Sequence, residues 1–298
     1  MRNKILKLLV AILCFPLFSI AQRQIAKIWT LPAVYNADEQ ITIFFDLTGT
    51  ELASVAEEKG VCVWTWFPAD PGETWGSPSD ASKLSQVEGN IWKWVLIPTE
   101  FYGVTADKIA EFYGQLQTHS GEKQALFAPD QDPANHIVMY SLSSIKGDAI
   151  IDYHPKQFTV DKPLSVLINA NNIYPDNCDG DVTIGGLSDA PNVHVHSGIN
   201  GWSTVIENNP ANSSKTGLTH LGDGIYRWDF IPNDYFNVTD GALITSINAV
   251  FASDDWAFIG KNIDCTDFFI EVPEQAEAAI PVLTFFPSKV SSKDLLCI

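Results

Sequence analysis

The stretch Asn90-Ile91-Trp92-Lys93-Trp94-Val95-Leu96-Ile97-Pro98-Thr99-Glu100-Phe101-Tyr102-Gly103-Val104 returns 134 residues later, without a gap, as Gly224-Ile225-Tyr226-Arg227-Trp228-Asp229-Phe230-Ile231-Pro232-Asn233-Asp234-Tyr235-Phe236-Asn237-Val238. Trp94/Trp228, Ile97/Ile231, Pro98/Pro232 and Val104/Val238 are identical. Lys93/Arg227, Trp92/Tyr226, Glu100/Asp234 and the aromatic pair recur by type. Both copies alternate with period two, the signature of a strand with one buried face. Trp92, Trp94 and Leu96 share one face, and Lys93 points away. Tyr226, Trp228 and Phe230 share a face, and Arg227 and Asp229 point away. Trp94 and Trp228 therefore read as core residues. Pro98 and Pro232 read as strand ends, because proline cannot donate to a ladder.

The correspondence extends outward. Gly60-Val61-Cys62-Val63-Trp64 answers Asn192-Val193-His194-Val195-His196. Gln40–Phe45 answers Pro163–Ile168, and Glu111–Leu116 answers Ser246–Phe251. Order preserved over this length predicts two homologous units, residues 23–150 and 151–273. Within each, short alternating runs are separated by Gly, Pro, Asn and Asp. Ala81 to Val87 is the best helical candidate, a turn or two. The expected fold class is all-β: two tandem immunoglobulin-like β-sandwich domains.

Composition sets outer limits. At 298 residues, 46% hydrophobic and 18% charged, the chain fills real cores and is not disordered. Lys+Arg 18 against Asp+Glu 36 gives a formal charge of −18. That balance offers no basic field to phosphates, which excludes a nucleic-acid partner and disfavours an anionic membrane surface.

Arg2, Lys4 and Lys7 precede an apolar run from Leu8 to Ile20, and Ser19-Ile20-Ala21 places small residues at the −3 and −1 positions of a cleavage site. Residues 1–21 read as a signal peptide cleaved near Ala21. Pro16 interrupts the run, which is short for a bilayer span, and Leu13 before Cys14 argues against a lipoprotein cysteine. Cleavage removes three positive charges and takes the formal charge from −18 to −21. The expected product is secreted or cell-surface, with no membrane insertion. Export permits disulfides. Cys178 and Cys265 fall in the same half beside predicted strands and are the expected pair, while Cys62 reads as a buried thiol. The cysteine spacings match no zinc pattern.

Aromatic residues left over from the cores are the candidate binding elements. Trp64 and Trp66 lie opposite the valine face of their strand, beside a Gly/Pro-rich loop carrying Trp75. The second unit offers His196, Asn200, Trp202, Asp254, Asp255 and Trp256. Aromatic platforms with a few placed polar groups are the elements of a small-ligand site, and sugar rings stack their C–H faces on such rings. The expected ligand-binding set is Trp64, Trp66, Trp75, Asn200, Trp202, Asp255 and Trp256. The alternative is that these tryptophans pack beneath loops as satellite clusters. His194 and His196 share a strand face, with no third His or Cys nearby, so ordinary alternation explains them. Asp176, Asp179 and Asp181 lie in an acidic loop able to supply oxygen ligands to calcium, against the plainer reading of a solvated turn. No other cofactor is expected.

No nucleophile elbow, zincin, P-loop or dinucleotide motif is present, and duplicated small modules suit binding by avidity better than catalysis. The leading expectation is a non-catalytic protein that binds a polysaccharide or oligosaccharide. The rivals are a structural or adhesive surface protein with a protein partner, and a polysaccharide hydrolase or its accessory.

Val61-Cys62-Val63-Trp64-Thr65-Trp66, Trp92-Lys93-Trp94 with Pro98–Gly103, and Val193–Gly198 with Trp202 resemble elements of tandem β-sandwich proteins secreted by Bacteroidetes. They are distantly similar to modules of outer-membrane starch-binding proteins. After a linker that starts at Glu274, Phe286-Pro287 and Asp294-Leu295 in the tail (residues 274–298) resemble a truncated C-terminal sorting signal of type IX secretion, with Ser288-Lys289 where that signal has Asn-Pro. The resemblance implies a Gram-negative cell surface and glucan contact through aromatic platforms.

Overall fold

A computed structural model describes residues 26–72, 76–128, 136–138, 149–175, 187, 190–239 and 242–273. The first half contains β1 (Lys27–Leu31), β2 (Ile41–Asp46), β3 (Val61–Phe67), β4 (Ser85–Glu88), β5 (Ile91–Leu96), β6 (Glu111–Thr118), β7 (Gln124–Ala128) and β8 (Ile137–Val138). The second contains β9 (Ile151–His154), β10 (Leu164–Asn169), β11 (Tyr174–Pro175), β12 (Val193–Ile199), β13 (Thr204–Ile206), β14 (Thr219–Gly222), β15 (Ile225–Phe230), β16 (Ser246–Ser253), β17 (Ile259–Lys261) and β18 (Phe268–Glu271). The α-helices among the described residues are single turns: α1 (Ala56–Lys59), α2 (Pro98–Tyr102), α3 (Ser213–Thr216) and α4 (Pro232–Tyr235).

One sheet of the first half runs β1-β2-β5-β4 and the other β3-β6-β7, with β8 also on β6. The second half repeats this as β9-β10-β15-β14 and β11-β17-β16-β12-β13, with β18 also on β16. All pairs are antiparallel, and the order is that of an immunoglobulin-type sandwich. Each half closes its own core between its two sheets. Ile43, Trp94, Val63 and Phe112 meet in one, and Val166, Trp228, Val195 and Phe251 in the other. Trp94 and Trp228 are fully buried, as period two predicts. In both halves the last strand is split. β7 pairs with the end of β6 and β8 with its start, just as β17 and β18 divide β16.

The predicted helix over Ala81–Val87 does not form. Asp80–Ser82 makes a 3-10 turn, and Ser85 onward is β4. The Leu84 N–H donates to the Val61 carbonyl at 2.9 Å, and the matching Leu218 N–H donates to Val193 at 2.9 Å. Pairing across the sandwich outweighs a weak local preference. Pro98 and Pro232 do end their strands, and each opens a helical turn at the position where a missing N–H costs nothing.

The halves meet at a polar seam. The β1–β2 connection lies on the outer face of the β9-β10-β15-β14 sheet. The Ala33 and Val34 N–H groups donate to Ser165 Oγ at 2.9 and 3.0 Å, and Ser165 Oγ donates to Asp229 at 2.6 Å. Arg227 donates bidentately to Glu39 at 2.8 and 2.9 Å and through Nε to Asp229 at 2.7 Å. Val34 packs with Leu167 and Ile225 beside them. Arg227 does point away from its own core, as the alternation says, but it is 4% exposed because the first half covers it. Burial works against the charged guanidinium, and the Glu39 and Asp229 carboxylates outweigh it and raise its pKa.

Candidate functional site

The outer face of the β12-β16-β17 sheet carries His196, Val250, Ile259 and Lys261. Two tryptophans come to it from loops. Together with Asp267 they line a cleft of about 330 Å³, at the small end of the roughly 300–1,000 Å³ typical of ligand pockets. The His196 ring stacks with Trp202 at 5.3 Å and meets Trp256 edge-on at 5.5 Å. Lys261 Nζ donates to Asp267 at 2.6 Å in the wall. An aromatic floor and sides with one donor and one acceptor in reach suit a ring that presents both C–H faces and hydroxyls.

Local sequence explains how the tryptophans get there. Asn200, Gly201 and Trp202 all have positive φ (51, 67 and 70°), forming the tight β12–β13 turn that Asn-Gly favours. The turn folds the Trp202 ring back over Gly198. A Cβ on Gly198 would stand 2.6 Å from that ring, so only glycine admits it. Trp256 also has positive φ, 62°. Backbone strain of this kind concentrates at functional sites. The Trp256 turn is held by Asp255, whose Oδ1 accepts from Ser253 Oγ at 2.6 Å and from the Ala257 N–H at 3.0 Å. Those donors keep the carboxyl below its ordinary range.

In the first half, Trp64 and Trp66 come from the same strand, with ring centroids 5.1 Å apart. Trp66 meets Tyr113 edge-on at 6.1 Å, and Tyr113 is sandwiched by stacking with Phe67 at 4.7 Å and His136 at 4.5 Å. Trp64 is half-buried and Trp66 is 38% exposed. Trp75 lies outside the described residues. A larger cleft of about 830 Å³ opens between the halves around Trp29, His154 and Lys162. There Phe44 stacks on Trp29 at 5.5 Å and the Lys162 ammonium sits 3.8 Å from its ring, so the indole is not an open platform.

The structure thus brings Trp202 and Trp256 together, and Trp64 with Trp66 in the other half. Asn200 and Asp255 serve backbone instead of lining the cleft. Asn200 accepts from the Thr245 N–H at 2.8 Å and donates to the Leu243 carbonyl at 2.8 Å. Lys261, Asp267 and Asn208 escape a sequence reading, because strand pairing and loop packing bring them in from distant positions with no motif to mark them. His194 is buried and bonds Thr216 Oγ1 at 3.0 Å. Cys62 is a buried thiol outside any disulfide, and its Sγ donates to the Gln117 carbonyl at 3.6 Å. Cys265 is disulfide-bonded, and Cys178 lies outside the described residues, as do Asp176, Asp179 and Asp181. Among the described residues, no group of three or more His, Cys, Asp or Glu is placed to hold a metal, and no helix is long and apolar enough to cross a membrane.

No family profile matches the chain, and no curated protein does. Among solved structures it is similar to the full extracellular region of plexin A4, at 10% identity and a TM-score of 0.23. That likeness covers 86% of this chain and 29% of the other, so the chain spans less than a third of that protein's length.

Proposed function

We propose that this chain is a secreted or cell-surface protein of two tandem sandwich domains that binds an uncharged glycan without catalysis, chiefly through the second-half cleft. The carrying observation is the convergence of Trp202 and Trp256 on His196, one stacked and one edge-on, in a cleft that the Lys261–Asp267 pair also lines. The formal charge of −18 repels polyanionic sugars and favours neutral ones. Affinity electrophoresis against neutral and acidic polysaccharides tests this. Neutral gels are expected to retard the protein, and Trp202→Ala and Trp256→Ala to abolish the retardation, while Trp29→Ala leaves it intact. Retardation that survives both cleft substitutions removes the site. Chelation of calcium is expected to leave binding unchanged.

A protein-binding reading has one observation of its own. Ile263 and Phe269 are each 61% exposed, and both lie in the segment that follows β17. Pull-down that depends on Phe269 with no retardation on any polysaccharide gel would establish that reading in place of the first.

A further inference from the structure

The second-half cleft contains a set of contacts that serves no strand pairing. Asn208 is buried between the cleft and β16. Its backbone carbonyl accepts from Trp256 Nε1 at 3.0 Å, and its side-chain amide donates to the Ser253 carbonyl at 3.1 Å. Its backbone N–H donates to His196 Nδ1 at 3.4 Å. Nδ1 is therefore the acceptor, and the imidazole is the neutral tautomer with its proton on Nε2. One imidazole thus touches both tryptophans and is tied to one of them through a single buried residue.

A proton on Nδ1 would set N–H against N–H. The buried Asn208 amide would lose its acceptor, and an unmade buried bond is costly. The segment that holds the Trp256 indole would then have to shift. Resting on the glycan reading above, we propose that protonation of His196 loosens the Asn208–Trp256 arm, so that the cleft holds its sugar near neutrality and releases it on acidification.

Burial sets the direction, and the charged groups facing the ring act against it or with it. Burial disfavours the imidazolium most. Glu207, after β13, and Asp267, before β18, favour it, and Lys261 on β17 opposes it. The net effect holds His196 below its ordinary 6.5, so the neutral form prevails at physiological pH and the switch lies on the acid side.

Two measurements test the proposal. In the first, calorimetry measures binding of malto-, cello-, xylo- and manno-oligosaccharides at about pH 8 and about pH 4, the lower value set below the ordinary histidine range because His196 is lowered. The best binder is expected to weaken about tenfold at the lower pH, a change of about 1.4 kcal/mol. His196→Gln, which keeps an acceptor but cannot titrate there, is expected to bind equally at both. In the second, fluorotryptophan NMR follows the Trp256 resonance, identified by its loss in Trp256→Phe. It is expected to shift between the two pH values in the natural protein and to stay fixed in His196→Gln. A resonance indifferent to pH overturns the proposal whether or not sugar binds, and so does equal affinity at both pH values with Trp202→Ala still abolishing binding. No binding by any oligosaccharide at the higher pH, with the resonance still moving, overturns the glycan reading and sugar release with it, and leaves only the proton-coupled arm.

Discussion

The two halves place an aromatic pair on the same outer sheet face by different routes. In the first, Trp64 and Trp66 both stand on β3, Trp66 meets Tyr113, and Phe67 and His136 stack on Tyr113 in turn. In the second, His196 takes the place of Trp64. Two residues on, where the first half has Trp66, the second has Gly198, and Trp202 folds back from the turn to cover it. The more exposed ring stands on the strand itself in the first half, Trp66, and comes from a loop in the second, Trp256; the half-buried ring is Trp64 on its strand and Trp202 on its turn. The exchange of one large residue for glycine, with a left-handed turn to return the ring, moves the supply of the outer aromatic face from the strand to the loops.

The strongest way to break the correspondence is at Lys93 and Arg227, matched residues of matched strands. Lys93 is half-exposed, while Arg227 is sealed under the first half by Glu39 and Asp229. Arg227→Ala is expected to cost about 3–5 kcal/mol, because it strands two carboxylates in a partly buried seam. Lys93→Ala is expected to stay within about 0.5 kcal/mol. Urea unfolding of the whole chain reads both. Equal, small effects would mean that the seam does not hold in solution.

Gly198→Ala comes next. The added methyl would meet the Trp202 ring at 2.6 Å and the Thr204 carbonyl at 3.1 Å. Overpacking of this kind costs about 1–3 kcal/mol of stability. Displacement of the ring is expected to weaken sugar retention about tenfold, with the far-ultraviolet circular dichroism of the fold retained. Retention equal to the unaltered protein would show that Trp202 is not part of the contact.

The fold was largely legible because its determinants are local. Trp94, Trp228, Pro98 and Pro232 announce themselves by period two and by what proline cannot do. Arg227 shows where that logic stops. Alternation says which way a side chain points relative to its own core, and nothing about whether another sheet or loop lies there. In β2 the outward residues are Thr42 and Phe44, both partly exposed. In β10 they are Ser165 and Leu167, both buried under the seam. The cleft was half legible. Trp202 and Trp256 stood out as large rings in polar loops. Asn200 and Asp255 suggested ligand contacts, but short polar side chains in turns first satisfy nearby backbone. Lys261 and Asp267 carry no local mark, since the split strand alone brings them to His196.

The cores themselves differ by one bond. Trp94 Nε1 donates to the Ala81 carbonyl at 2.7 Å, while Trp228 Nε1 is buried without a partner among the described residues. Both lose similar apolar area on change to phenylalanine. Trp94→Phe also removes the hydrogen bond to the Ala81 carbonyl, and Trp228→Phe removes an unsatisfied donor. Trp94→Phe is expected to be more destabilising by about 1–2 kcal/mol, measured by the same urea transitions. The reverse order would mean that water reaches the Trp228 nitrogen.

The smallest expected effect tests the correspondence most finely. The Tyr102 hydroxyl lies 2.9 Å from Thr65 Oγ1, and Ser197 Oγ donates to the Tyr235 hydroxyl at 3.2 Å, a matched bond between α2 and β3 in one half and α4 and β12 in the other. Yet Tyr235 aligns with Phe101, not with Tyr102. Phe101 and Tyr235 fill the same place, edge-on to Trp94 and Trp228 at 4.9 and 5.3 Å. Tyr102→Phe is expected to cost about 1 kcal/mol. The double change Phe101→Tyr with Tyr102→Phe copies the second half's arrangement and is expected to recover most of that loss. Burial raises both phenols, against the hydroxyl bonds, Tyr235 to about 12. A folded value above the ordinary 10 means that their stabilisation is complete below about pH 10 and is lost as pH climbs through about 12. Unfolding free energy is therefore expected to fall over that window, and to fall less in Tyr235→Phe. An alkaline slope identical in that variant would show that Tyr235 titrates as an exposed phenol and that the matched bond is absent in solution.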